Sequence, residues 1–586
     1  MAKRRSVRTS QIAVEPHFQL TRACTIVALD PSVRHKNNDV LMAQIQIPYE
    51  QLEDGPRGYR VQVIDYDATT RTLYAPETQS NGKPFSSRKN IEQDRAFHAR
   101  NAYAIVMYVL ARFERALGRR VGWSFPGHQL ILAPHAFVDL NAFYSKEDRG
   151  IYFGYYPQKD KHVFTCLSHE VVAHETTHAL VDGLRPRYLY PSSPDQAAFH
   201  EGFADIVALL SVLSIDSVVS KALDLDSPSD DKLIAATKLT RTYLRKSVLL
   251  GLAQEVGEAM YGTHGVALRR SIQIKPNQDL IHTDEFIEPH RRGELIVAAI
   301  LGVFLDLWQE RIANLGTLKS GMVSRVEVVA AANTIAEHIL TIAIRALDYC
   351  PPTDLLFGDF LSALLTSDFE MYPDGGQYNY RQAFREGFAA FGIKPTAKTD
   401  QPTPEPGLWS SPKPKTIIYN RTHQESMKSD PDEMFRFIWE NRKALKLDEE
   451  AYTEVESVRP CYRIAPDGFF LRETLAVYTQ QISCLAGELR SLRIRKPDGM
   501  PDDYPIRLFG GGCLVFDEAG RLKYQIRNRI NSSSNQSERL KYLWESGGFS
   551  AKRSFAAIHL ERTLRVNMTS ASATHSDHGE EEEHED

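Results

Sequence analysis

The chain has 586 residues, 42% of them apolar and 25% charged, which is enough for several domains and a sizeable core. A formal net charge of −5 argues against a nucleic-acid partner, and no apolar run stands out as long enough to span a bilayer, so no membrane partner is expected either. The basic start "AKRRSVR" and the acidic end "HGEEEEHED" read as solvated tails.

Residues 1–20 read as a flexible tail. Lys3, Arg4 and Arg5 precede "TSQIAVEPHFQ", which is too polar for the apolar stretch of a secretory signal. Cys24, Cys166, Cys350, Cys461, Cys484 and Cys513 are scattered without a C-x-x-C pair and read as reduced. The expected compartment is cytoplasmic, with leaderless export left open. Residues 21–91 are strand-rich: "YRVQVIDYD" alternates, and "DATTRTLY" supplies a turn and a return strand. Residues 92–118 read as a long helix with Val106, Leu110, Phe113 and Leu117 on one stripe and Gly118 as its stop. Strands return over 121–157 in "HQLILAPHAFVDLNAFY" and "GIYFGYYP".

A helix at 163–183 follows, and then a mostly helical half. It includes "EGFADIVALLSVLS", "DKLIAATKLTRTYLRKSVLLGLAQEVGEAMY", "GELIVAAILGVFLDLWQERIANL" and "RVEVVAAANTIAEHILTIAIRAL", and closes with "YRQAFREGFAAFGI". Strands first and helices after predict an α+β fold with a site at the junction. Residues 396–415 are rich in Pro, Lys and Thr and read as a linker. Residues 416–566 form a C-terminal α/β module whose role is not legible. Within it "GGCLVFDEAGRLKYQI" reads as a hairpin, with Leu514 and Phe516 facing Leu522 and Tyr524 across a Gly520 turn. Residues 567–586 read as a disordered acidic tail. No repeat of fixed period is found.

The chemistry concentrates in "VVAHETTHALVDGL", residues 171–184. His174 and His178 are four apart, so a helix places both imidazoles on one face, able to grip one ion. Glu175 is displaced by about 100°, within reach of a water on that ion. This is the H-E-x-x-H arrangement of two ligands and a general base. The apolar flanks imply burial, and buried polar groups need partners. A catalytic zinc takes three protein ligands, and "AAFHEGFADIVALL" supplies a third in Glu201. Asp205, one turn on, would take the second N–H of a ligand imidazole. His200 is the neighbouring alternative ligand.

"EVVAHETTHALVDGL" together with "FHEGFADIVALL" resembles the thermolysin-like gluzincin metallopeptidases. "LNAFYSKEDRGIYFGYYP" is similar to the edge strand of that family and the strand after it, and "RQAFREGFAAFGI" to its closing helix. The resemblance covers roughly 92–395, and its motifs are most specific over 141–205. It implies a two-lobed zinc peptidase, with a strand-rich N-lobe, a helical C-lobe, and a zinc cleft between them. The C-terminal module is additional to it.

The resemblance also implies roles. Asn141 and Ala142 would bind a substrate backbone laid antiparallel to the edge strand. Arg269, in "EVGEAMYGTHGVALRRS", would bond the carbonyl beside the scissile bond. His290, in "EPHRRGELIVAA", would stabilise the transition state, oriented by Glu288, Glu285 or Asp284. Tyr188 or Tyr190 would be a second electrophilic group. One catalytic Zn2+ is expected. Calcium is left open: Glu170, Glu255 and Glu258 resemble family carboxylates, but Val212 and Ala253 stand where others belong. The activity implied is a zinc endopeptidase acting on peptide or protein substrates, with Glu175 as general base. The alternatives are a zinc aminopeptidase, whose Gly-rich exopeptidase segment is not seen here, and an inactive peptidase-fold scaffold. Substrate preference, activation and oligomeric state are not legible.

Overall fold

The computed structural model describes residues 20–33, 40–76, 91–158, 161–225, 232–245, 271–316, 321–373, 379–397, 405–410, 416–464, 468 and 470–549. The chain begins with an antiparallel ribbon, β1 (Thr21–Val27) on β2 (Met42–Pro48). β3 (Val61–Val63) leads into a small hairpin of β4 (Tyr66–Asp67) and β5 (Thr72–Leu73), the turn and return expected of "DATTRTLY". Helix α1 (Arg95–Leu117) starts where the Asp94 carboxylate accepts from the Phe97 amide at 3.0 Å. It ends at Gly118, whose φ of 66° is left-handed. Its stripe of Val106, Leu110, Phe113 and Leu117 is buried throughout.

β6 (Leu130–Val138), β7 (Ala142–Ser145), β8 (Gly150–Gln158) and β9 (Lys161–Phe164) join β3 in a five-stranded sheet. Its order is β3–β6–β8–β7, with β9 also pairing β8. β7 runs antiparallel to β8 at the sheet's edge, with Ala142 opposite Phe153 and Tyr144 opposite Ile151. One side of β7 therefore carries backbone groups that no other strand among the described residues takes up.

Helices dominate the next stretch: α2 (His169–Leu184), α3 (Pro194–Leu213), α4 (Asp216–Leu225), the short α5 (Arg241–Leu244), α6 (Pro289–Leu315), α7 (Arg325–Ala346), α8 (Phe357–Met371) and α9 (Tyr380–Ala389). The fold is thus mixed α and β, as expected. "DKLIAATKL" departs from its helical reading. Leu233–Ala235 is a strand, β10, because β11 (Met322–Ser324) pairs with it and tertiary pairing overrides local propensity. The helices Pro194–Leu213 and Arg325–Tyr349 are long and apolar enough to cross a membrane by length and composition, contrary to the sequence reading. Both are core helices here, and the apolar window of the first is wholly buried.

The C-terminal residues form α10 (Pro431–Glu440), a sheet of β12 (Tyr452–Ile464), β13 (Phe470–Leu485), β14 (Pro505–Phe516) and β15 (Leu522–Asn528), and α11 (Ser533–Glu545). Strand alternation gives this sheet two apolar faces. Leu475, Val477, Cys513, Val515, Tyr524 and Ile526 join the main core. Ala476, Tyr478, Leu514 and Phe516 point the other way, onto Met434, Phe437 and Ile438 of α10. The expected hairpin is present, with Phe516 opposite Leu522. A bulge between Val515 and Phe516 shifts the rest of the register, so Tyr524 pairs Val515 and Leu514 pairs Gln525.

This sheet is joined to the helical half by backbone and charge. The Tyr462 amide donates to Gly118 O at 2.8 Å, and a Cβ at Gly118 would stand 2.3 Å from Tyr462 O. Buried Asp348 accepts both guanidinium nitrogens of Arg119 at 2.6 Å and also bonds Arg463, which reaches Glu473 at 2.8 Å. The described parts of the segment read as a linker pack as a strap. The Ala397 amide donates to Ser362 Oγ and the Trp409 amide to Thr366 Oγ1, both at 3.0 Å, and Leu408 is buried.

Candidate metal centre

α2 begins at Ser168, whose hydroxyl accepts from the Val171 amide at 3.4 Å, and its first turn starts with the His169 amide bonded to Leu29 O at 2.7 Å. From this fixed start the helical period brings His174 and His178 to one face, with their Nε2 atoms 2.9 Å apart. α3 starts at Ser193 with Pro194 at its first position and presents Glu201 to the same point. Glu201 Oε2 lies 3.5 Å from His174 Nε2, and Oε1 lies 3.8 Å from His178 Nε2. A tetrahedral ion bonded at about 2.0–2.2 Å needs donors about 3.3–3.6 Å apart. The three observed separations bracket that range.

The far sides of both rings are engaged as well. Asp205 Oδ1 is 2.7 Å from His174 Nδ1, which places the ring proton on Nδ1 and turns the Nε2 lone pair toward Glu201. His178 Nδ1 is 2.7 Å from His200 Nδ1. With its proton on Nδ1, donated to His200, His178 also offers Nε2. In that tautomer His200 stands behind His178 rather than in the donor set. Two nitrogen lone pairs and a carboxylate converging at these distances fit a divalent cation, and the His₂Glu composition fits zinc.

Glu175 is buried, and its carboxylate lies within 4.8 Å of the ligand atoms of both imidazoles. The Tyr144 amide of β7 donates to Glu175 Oε2 at 3.0 Å. That bond fixes the carboxylate and shows that Tyr144 turns its backbone outward from the sheet edge. By the two-residue period, Ala142 does the same. Asn141 sits at the strand's start, where its Oδ1 accepts from the Ala142 amide at 2.9 Å.

His290 begins α6 close to the donor set, its Nε2 3.1 Å from Glu201 Oε2. Of the three carboxylates open to sequence reading, Glu288 is the one at its back, with Oε1 2.7 Å from His290 Nδ1. Burial pushes the Glu288 carboxyl up, but the hydrogen bond and charge of His290 outweigh it and hold the group down at about 2. Glu285 instead pairs with Arg291. A close helix contact brings His290 here. A Cβ on Gly202 would meet Gly293 O at 2.7 Å, and one on Gly293 would meet Ala198 O at 2.8 Å. Only two glycines allow α3 and α6 this near, and Glu201 and His290 ride on the two helices. Gly202, directly after Glu201 in an apolar helix, was the visible signal of that approach.

The tyrosines separate. Tyr188 is buried and its hydroxyl donates to Pro351 O at 2.6 Å, a core role. Tyr190 is 69% exposed and lines a cavity of about 1550 Å³. Glu288 and His290 line the same cavity, and Arg507, Phe509 and Arg539 of the C-terminal module form its other wall. Sequence reading gave that module no part in the site. Arg269, Glu255, Glu258 and Ala253 lie outside the described residues. Val212 is buried in the apolar body of α3. Glu170 lies in the first turn of α2, with Ser168 Oγ 3.3 Å from its Oε2. No protein-family model matches the chain and no curated protein matches it, so the functional reading rests on this geometry.

Proposed function

We propose that this chain is a zinc-dependent endopeptidase of the thermolysin-like kind, its zinc held by His174, His178 and Glu201. The observation that carries the proposal is a convergence. Three donors meet at separations that bracket those an ion needs, and the adjacent Glu175 is tied to the amide of an edge strand. When bound there, zinc acidifies a water and polarises a carbonyl.

The chain's own residues do the rest. Ala142 and Tyr144 turn their backbones outward; their amides are held by Asn141 Oδ1 and Glu175 Oε2, and their carbonyls can accept from an extended peptide that adds as a strand. Glu175 takes the proton of the attacking water as the new C–O bond forms, and passes it to the amine as the C–N bond breaks. His290 donates from Nε2 to the carbonyl oxygen as it gains charge, with Glu288 balancing the imidazolium. Asp205 and His200 hold the ligand rings in orientation. The cavity that reaches His290 leaves room for a chain to continue past that residue, which is in keeping with internal cleavage. The carboxylate at Glu175 favours a working enzyme over a scaffold.

The test is hydrolysis of an internally quenched peptide library with and without a chelator. Chelator-sensitive cleavage at internal bonds is expected. Cleavage confined to N-terminal residues would favour the aminopeptidase reading, and no cleavage by zinc-loaded protein would favour the scaffold.

A further inference from the structure

A second group of ligand-type side chains lies away from the cleft. His98 comes from α1, His135 from β6, and Cys166 from the turn Thr165–Leu167 that leads into α2. None is more than 1% exposed. Their ligand atoms all lie within 4.8 Å of one another, with His98 Nδ1 2.8 Å from His135 Nε2.

The partners on the far sides of the two rings define the chemistry. His98 Nε2 is 2.9 Å from Ile91 O. A carbonyl only accepts, so Nε2 carries the proton and Nδ1 of the neutral ring carries a lone pair. His135 Nδ1 is 2.7 Å from Asp65 Oδ2, and Asp65 Oδ1 also accepts the His135 amide at 3.0 Å. The carboxylate is thus held as an acceptor, and in the neutral ring the lone pair lies on His135 Nε2. Two lone pairs then face each other across 2.8 Å beside a thiol. Either a proton or a cation must bridge them. Ring nitrogens backed by a carbonyl and a carboxylate are the outer-shell pattern of metal-bound histidines.

We infer that His98 Nδ1, His135 Nε2 and Cys166 Sγ form a second metal site, for a thiophilic d¹⁰ cation, Zn2+ or Cu+. Two imidazoles and a thiolate select such ions over Mg2+ or Ca2+. Binding replaces the thiol proton, which leaves to solvent, with a sulfur–metal bond. For Zn2+, the thiolate and Asp65 balance the charge. Phe164 covers the group, its ring centroid 4.6 Å from that of His98 and 5.4 Å from that of His135. With no solvent-facing position, the site is structural. It ties α1 and the sheet to the turn that starts the helix of the first centre. That turn is held from a further side by Asn101 Nδ2, which donates to Cys166 O at 2.9 Å.

The inference does not rest on the proposed catalysis, and its test separates the two. The full chain is purified from medium containing zinc and copper, its metals are counted, and it is then exchanged with Co2+. Two metals per chain and a thiolate-to-cobalt charge-transfer band are expected. His174→Ala should keep one metal and the band. Cys166→Ala should keep one metal, lose the band and melt earlier. One metal per chain without a band in the unmodified protein overturns the inference whether or not the Cys166 variant folds. So does a band that survives Cys166→Ala. A band with no metal at His174 would uphold this site and sink the catalytic one.

Discussion

His174 and His178 stand one turn apart on a single helix and are met by a carboxylate from the next. His98 and His135 come from a helix and a strand 37 residues apart and are met by a thiol. Both pairs use the same device, a ring proton held from behind so that a lone pair points inward. They differ in access. The first pair borders Glu175, an open strand edge and, through His290, a large cavity, whereas the second is sealed under Phe164. Ligand chemistry therefore does not by itself separate a working centre from a staple. A route for water and substrate does.

The sharpest way to break the comparison is to remove the base and leave the ligands. Glu175→Gln is expected to retain zinc and to lose at least ~100-fold in kcat, as loss of general acid–base catalysis typically costs. Metal analysis beside the quenched-peptide assay checks both halves. Undiminished turnover would remove Glu175 from the mechanism.

The outer partners give a more even comparison. Asp205→Asn should weaken zinc at the first centre by ~10–100-fold, the usual effect of losing a partner behind a ligand. Chelator competition with a chromophoric indicator reads it. Asp65→Asn should weaken the second site on the same scale, seen as earlier loss of the cobalt band on titration with chelator. Equal affinities in parent and variants would mean that the carboxylates serve packing alone.

How much of this the sequence revealed follows from how local each feature is. His174, Glu175 and His178, and again Glu201 and Asp205, lie within one helical turn, so spacing alone brings them together. The stripe and glycine stop of α1 were legible for the same reason. Glu288 could not be chosen over Glu285 and Asp284, because the bends of a loop decide which side chain returns to His290. Cys166 beside His98 and His135 depends on three elements meeting, and nothing in the local sequence encodes that. The β10 strand was hidden because its partner lies at Met322–Ser324, far along the chain. The C-terminal sheet looked separate because Pro and Lys near residue 400 suggested a linker. Its second apolar face, carried by Leu475, Val477, Cys513 and Val515, was the overlooked sign that something else packs there.

Packing between α3 and α6 offers a further test. Gly202→Ala sets a Cβ against the Gly293 carbonyl and should cost about 1–3 kcal/mol through overpacking, measured by denaturant melts. It should also lower activity, because Glu201 and His290 move apart with their helices. Gly302→Ala in the same α6 is the control. Among the described residues its Cβ would meet only Arg241 Nη2 at 3.7 Å, so a helical glycine there should give way to alanine with a gain of about 0.4–1 kcal/mol.

The smallest expected effect probes whether the two histidine groups are mechanically linked. Ser168 lies between Cys166 and His174 and caps α2 through the Val171 amide. Ser168→Ala should cost about 0.5–2 kcal/mol as an N-cap loss. If the buried site pins the start of α2, the bound metal should mask part of that loss, because the turn stays fixed without the cap. The melting difference between Ser168→Ala and the parent should then widen when Cys166→Ala is added, a coupling that a double-mutant cycle reads directly. Additive melting changes would mean that α2 is held by its own packing, and that the sealed group and the open one share only their chemistry.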